Sequence, residues 1–133
     1  KIFNSILSQE DIDTCNRLYN ENKFQDCYEF SHQCLKTHPF SKAAMLSTAK
    51  ASIKLGYFDE AFAILFSLIR KNPDDIATID LLASAYKENN QNEKGLEYAK
   101  RAVTLDDSNA NLHANLALHY FNMGQFDQAM KHY

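Results

Sequence analysis

Three cysteines and two histidines in the first third of the chain are the residues best suited to catalysis. Cys15, Cys27 and Cys34 could act as nucleophiles or metal ligands, and His32 and His38 could serve as bases or further ligands. The number of cysteines is odd and none lies in a CxxC pair, so a disulfide framework is not expected. A reducing compartment, cytoplasmic or nuclear, fits this cysteine usage better.

A second set of histidines lies towards the end of the chain. His113, His119 and His132 are separated by six and thirteen residues, whereas two zinc ligands on one helix face are four residues apart. The chain also contains no HExxH motif. We therefore expect no metal site here.

The sequence shows no pattern typical of phosphate binding or of acid–base catalysis. Gly56, Gly95 and Gly124 are too far apart to form a phosphate-binding loop, so no nucleotide or other cofactor is expected. The carboxylate pairs Asp74–Asp75 and Asp106–Asp107 lie in predicted turns, where solvated acidic residues are common. We predict that the chain is not an enzyme.

The composition favours helices and excludes two classes of partner. Among 133 residues there are only 3 glycines and 2 prolines, too few for the many turns of an all-β fold, so an all-α fold is expected. The net charge of -3 gives no basic surface for nucleic acid or an anionic membrane. No apolar run approaches the roughly 18 residues that a membrane span requires, and the first residues lack the pattern of a signal peptide.

An internal repeat dominates the sequence. The turns His38-Pro39 and Asn72-Pro73 lie 34 residues apart, and a further 34 residues lead to the polar segment at Asp107. This spacing predicts repeats at 8–41, 42–75, 76–109 and 110–133, the last one truncated. Residues 1–7 do not fit the repeat and could be the tail of a preceding helix. We expect the chain to be part of a longer protein.

Equivalent positions of the repeat carry similar residues. The fifteenth position is always Asn or Gly, the residue types that most readily end a helix in the left-handed conformation: Asn22, Gly56, Asn90 and Gly124. The eighteenth position is mostly acidic, as expected at a helix start: Gln25, Asp59, Glu93 and Asp127. Each repeat is therefore predicted to contain two helices of about 14 residues joined by a tight turn.

Small residues recur where two helices would cross. The eighth positions are Cys15, Ala49, Ala83 and Ala117. The twentieth positions are Cys27, Ala61, Gly95 and Ala129. Because the cysteines share these positions with alanine and glycine, we interpret them as small core residues. A helix pair of this size cannot bury both faces alone, so neighbouring repeats must stack.

These positions resemble the tetratricopeptide repeat (TPR) family. Its weak signature is best matched in the last repeat, by Leu116, Ala117, Tyr120, Gly124, Phe126 and Ala129. The first repeat is the most divergent. The resemblance implies a right-handed α-α superhelix, the TPR solenoid, built from antiparallel helix pairs. It also implies a non-catalytic scaffold for protein partners.

In this family the first helix of each repeat lines a concave groove, which implies a set of peptide-binding candidates. In the first two repeats these are Ile12, Asn16, Tyr19, Asn20, Leu46, Ser47, Lys50, Ile53 and Lys54. In the last two they are Asp80, Leu81, Ser84, Lys87, Asn115, Leu118, Phe121 and Asn122. Asparagines suit a peptide backbone, apolar residues suit side-chain anchors, and the three lysines would attract an acidic side chain. For each residue, a merely solvated face is the alternative interpretation.

The resemblance extends faintly to one group of TPR proteins. The stretch that runs from Phe24-Gln-Asp-Cys-Tyr28 through His38-Pro39-Phe40 is similar to segments of TPR scaffold subunits of the anaphase-promoting complex. Two functions remain open: a scaffold in a multisubunit assembly, or a targeting or regulatory domain attached to an enzyme in the same full-length chain. Self-association through exposed terminal helices is a third possibility.

Overall fold

The structure, a computed structural model, describes residues 6–132. Within this range the chain forms eight α-helices and no β-strand. They are α1 (Gln9–Asn20), α2 (Phe24–Thr37), α3 (Lys42–Leu55), α4 (Phe58–Lys71), α5 (Ile76–Glu88), α6 (Asn92–Leu105), α7 (Ala110–Asn122) and α8 (Phe126–His132). The predicted all-α fold and the predicted helix pairs are confirmed.

The tight turn inside each repeat has one geometry. Asn22, Gly56, Asn90 and Gly124 all have a positive φ, between 62° and 80°. At each turn the N–H of this residue donates to the carbonyl oxygen three residues earlier in the chain. The N–H of the next residue donates to the carbonyl oxygen five residues earlier, for example that of Tyr57 to Ser52 at 2.8 Å. This pair of hydrogen bonds is the Schellman motif, which ends a helix and reverses the chain.

The first helix of each repeat begins with a side-chain cap. Ser8, Ser41, Asp75 and Asn109 each accept a hydrogen bond from a backbone N–H in the first turn of α1, α3, α5 and α7. A cap of this kind contributes about 1 kcal/mol to helix stability. The helix starts are therefore fixed locally, as the turns are.

The chain divides into two compact units, with the boundary after Leu68. In the first unit α2 packs against α1 and α3, and α1 also contacts α3. A core cluster there contains Leu7, Cys34 and Ala44. In the second unit α6 packs against α5 and α7, and α7 packs against α8. Its larger core cluster includes Ala83, Ala99 and Ala117.

The predicted small positions are buried. Cys15, Ala49, Ala83 and Ala117 are at most 1% exposed. In the second helices Cys27, Ala61 and Ala129 are at most 3% exposed, and Gly95 is also buried. The interpretation of the cysteines as core residues is therefore confirmed for Cys15 and Cys27, and Cys34 is buried too.

The leader at 1–7 lies mostly outside the described residues. Ile6 and Leu7 are not helical, and Leu7 is buried against the first unit while Ile6 is exposed.

Replacing a small buried residue tests this packing. Ala61→Arg should destabilise the first unit by about 3 kcal/mol, because a long charged side chain would be forced into a filled interface. Ala63→Arg is the matched control, since Ala63 lies on the exposed face of the same helix. Urea unfolding followed by circular dichroism gives both free energies. Equal stability of the two variants would contradict the assigned packing.

Candidate functional site

The groove candidates of the first unit lie on α1 and α3. Asn16, Asn20 and Lys54 are exposed, whereas Ile12, Tyr19, Leu46, Ser47 and Lys50 are half-buried. Ile53 is only 6% exposed and belongs to the core. Its neighbours Ala51 and Ser52 are buried as well, so this part of α3 is enclosed by the core. Ile53 therefore offers almost no surface to a partner.

Two lysines of this unit lie over aromatic rings. The Lys50 ammonium is 4.3 Å from the centroid of the Tyr19 ring, and that of Lys54 is 5.7 Å from the centroid of Phe24. Cation–π contacts of this kind are worth about 0.5–1 kcal/mol at exposed sites. Both charges therefore lie beside aromatic rings on α1 and α2.

The candidates of the second unit lie on α5 and α7. Leu118, Phe121 and Asn122 are exposed, and Asp80, Leu81, Ser84, Lys87 and Asn115 are half-buried. The exposed ring of Phe121 packs edge-to-face on Phe126, with 5.1 Å between centroids. An apolar patch on α7 therefore extends to the start of α8.

A polar network connects α5 and α7. The Asn115 side-chain amide donates to both carboxylate oxygens of Asp80, at 3.1 and 3.4 Å. Burial raises the pKa of Asp80, and the hydrogen bond from Asn115 lowers it in part. Sequence reasoning placed both residues in the groove but did not predict that they pair. Their spacing of 35 residues, one more than the repeat, was the available signal.

The buried imidazole of His119 completes this network. Nδ1 lies 2.8 Å from the carbonyl oxygen of Asn115, and Nε2 lies 3.1 Å from that of Ala83. His119 was considered only as a metal ligand from the sequence. The structure gives it a packing role between α5 and α7, where it is 2% exposed.

The other two histidines of that set form a pair. Nδ1 of His113 lies 2.8 Å from Nδ1 of His132, and the ring centroids are 5.1 Å apart with 22° between the planes. The distance between the ring centroids is longer than the distance between the two nitrogens by about two imidazole radii. Both nitrogens therefore lie on the line between the centroids, and the nearly coplanar rings meet edge to edge. Such a pair needs one proton between the two nitrogens and leaves no common coordination position. Within residues 6–132 no cluster of three or more His, Cys, Asp or Glu side chains could hold a metal ion.

The thiols do not have the environment of catalytic cysteines. Burial raises the pKa of Cys15 and Cys27, and it raises that of Cys34 to about 11. The Cys27 thiol donates to the Cys15 carbonyl at 3.5 Å. Because the reactive form of cysteine is the thiolate, these groups are poor nucleophiles at neutral pH.

Comparison with known proteins identifies the repeat. Residues 78–109 match the sequence profile of the tetratricopeptide repeat. These residues form a tetratricopeptide repeat. The predicted resemblance to the family is thereby confirmed.

None of the helices in residues 6–132 is long and apolar enough to cross a membrane.

Solved TPR structures share the fold over most of the chain. A thermophilic TPR protein of Thermus thermophilus superposes with a TM-score of 0.82, at 21% identity, over 93% of this chain and 70% of its own. MamA from Desulfovibrio magneticus RS-1, beginning at residue 41, gives 0.74 at 24% identity over 92% of this chain and 69% of its own. At these identities the likeness shows the fold alone, and it confirms the predicted TPR solenoid class.

A curated relative is much longer than this chain. The Phagocyte signaling-impaired protein of Drosophila pseudoobscura pseudoobscura is 27% identical over 96 residues, which are 72% of this chain. The chain spans about 10% of that relative's length. The resemblance to anaphase-promoting complex subunits stays a prediction.

The histidine pair makes the packing of α8 sensitive to pH. Burial lowers the pKa of His132, and the charges of His113 and Lys131 lower it further. A histidine whose pKa is lower in the folded chain binds more protons when unfolded, so protonation favours unfolding. The stabilisation is complete above the ordinary pKa of about 6.5 and is lost as the pH falls below it.

We therefore expect the urea midpoint of the wild type to fall between about pH 7.5 and about pH 5.5. His132→Asn is the control, because its amide can still donate to His113 but does not titrate. The midpoint of this variant should fall less. The same loss in both proteins would show that the pair does not respond to pH.

Proposed function

We propose that this chain is a non-catalytic protein-interaction scaffold that binds an extended peptide or a helix of a partner on its first helices. The TPR match and the TPR fold support a role in protein binding. The poorly ionised thiols support a role without catalysis. The proposal requires no cofactor.

One observation carries the peptide-binding proposal. On α7 the residues Leu116 and Ala117 are at most 3% exposed, so this side of the helix is fully used by the core. Leu118, by contrast, is 40% exposed, and Phe121, which follows it by about one turn, is 55% exposed. Adjacent apolar side chains left in water on a packed helix mark an interaction surface, because covering them is favourable by about 25 cal/mol per Å².

Exposed polar groups on the first helices suit a peptide backbone. Asn16 and Asn20 on α1 and Asn122 on α7 have exposed amides, each of which can donate and accept a hydrogen bond. The two lysines that lie over aromatic rings add positive charges in the first unit. Each unit thus offers its own combination of amide, charge and apolar groups.

The proposal places the chain within a larger assembly subunit. More 34-residue repeats in the full-length sequence would support this, whereas a catalytic domain would favour the targeting role. Three buried free thiols support a reducing location such as the cytoplasm or nucleus.

Substitutions on α5 and α7 test the binding surface. Peptides that bind the wild type are first selected from a phage-displayed random library. We expect Phe121→Asp and Leu81→Asp to weaken the binding of these peptides by at least about tenfold, since each variant loses an apolar anchor worth about 1.4 kcal/mol. Fluorescence anisotropy with one labelled selected peptide gives the affinities, and circular dichroism checks the helicity.

Met130→Asp is the matched control. Met130 is 76% exposed in the same unit but lies on a second helix, so its replacement should leave the affinity unchanged. Full affinity in the Phe121 and Leu81 variants would exclude α5 and α7 as the surface that provides the apolar anchors.

A further inference from the structure

The carboxylate of Asp80 is held in place, but within residues 6–132 it forms no direct ion pair with a lysine or arginine. Both of its oxygens accept from the Asn115 amide, at 3.1 and 3.4 Å. Exposed ion pairs such as Arg17 with Glu21 do occur elsewhere in these residues.

The nearby histidine does not neutralise Asp80 by direct contact. Both ring nitrogens of His119 lie at hydrogen-bond distance from carbonyl oxygens, those of Asn115 and Ala83. His119, and to a smaller extent Lys87 seven residues further along α5, lower the pKa of Asp80 through their charges without contacting it. The acid is therefore surrounded by groups that orient it without forming an ion pair.

An oriented, half-buried carboxylate is costly unless it is paired. Removing a carboxylate from water is unfavourable, and one amide donor compensates only part of that cost. A carboxylate has about four acceptor positions, and the single Asn115 amide leaves most of them available. A cation supplied from outside would recover the lost interaction.

We propose that Asp80 recognises a lysine or arginine side chain of the bound peptide. This inference rests on the proposed function, because the pair of Asp80 and Asn115 connects α5 and α7, two of the first helices on which the partner is proposed to bind. Leu81 follows Asp80, and Leu118 lies one turn beyond Asn115 with 40% exposure. The aliphatic stem of a basic side chain can pack on such residues while its charged end reaches the acid.

A peptide is a better occupant than a metal ion. A hard cation such as Ca²⁺ takes six to eight oxygen ligands, and the described residues around Asp80 form no such cluster. Guanidinium and ammonium groups need only one oriented carboxylate and benefit from its fixed plane.

The experiment compares random-peptide selections on three proteins. Phage-displayed peptides are selected on the wild type, on Asp80→Asn and on Asp80→Lys, and the pools are sequenced. The wild-type pool should be enriched in Lys and Arg at one position relative to flanking apolar residues. Asp80→Asn should lose this enrichment, and Asp80→Lys should replace it with Asp and Glu.

The affinities of two peptides complete the test: one selected peptide, and the same peptide with Gln in place of its basic residue. The change should weaken binding to the wild type about tenfold and leave binding to Asp80→Asn unchanged, because the interaction is already absent there. Asp127→Asn is the matched control, since it removes one carboxylate from an exposed position of the same unit. It should keep the wild-type preference.

The outcomes separate the two proposals. Peptides bound without a basic preference, or with one that persists in Asp80→Asn, would overturn the role of Asp80 and leave the binding surface intact. A wild-type protein that selects no peptide would overturn the proposed function, and the role of Asp80 with it.

Discussion

A close approach between helices at Gly95 constrains the whole second unit. A Cβ atom at this position would lie 3.0 Å from the carbonyl oxygen of Ala83 and 3.1 Å from the ring of His119. Three helices therefore meet at one point of α6, where a methyl group would crowd its neighbours more closely than an ordinary van der Waals contact. Every other repeat tolerates a small side chain at the equivalent position, but the third repeat must accommodate an imidazole as well. The packing of the second unit depends on this contact.

This contact also couples the core to the surface. His119 occupies the space left by Gly95 and directs one nitrogen to the carbonyl of Asn115, whose side chain holds Asp80. His119 and Asn115 both reach from α7 to α5, one at the Ala83 carbonyl and the other at Asp80, so the close approach of α7 to α5 also brings the Asn115 amide to the carboxylate. A carboxylate that is already oriented loses little conformational entropy when it binds a cation.

The sequence predicts the parts of this structure that repeat. Turns at Asn22 or Gly56 and buried positions such as Ala49 or Ala83 follow from local backbone preference and from side-chain size, and both recur every 34 residues. Features that depend on particular pairs are not predicted. The contact of Lys50 with Tyr19 requires knowledge of which side chains face each other across neighbouring repeats.

The candidate site shows the same limit. Ile53 was assigned to the groove by its position in the repeat, yet this part of α3 is enclosed and buries it. The pairing of Asp80 with Asn115 and of His113 with His132 arises from contacts between different helices. A repeat pattern describes what the repeats share, so it does not contain these individual contacts.

Substitution of Gly95 by alanine is the most direct test of the central contact. Alanine is the better helix former by up to about 1 kcal/mol, so an unconstrained site would become more stable. We predict the opposite: a loss of about 1 kcal/mol or more in urea unfolding, because the added methyl group would crowd the Ala83 carbonyl and the buried His119 ring at once. A Gly95→Ala protein that is more stable than the wild type would contradict it.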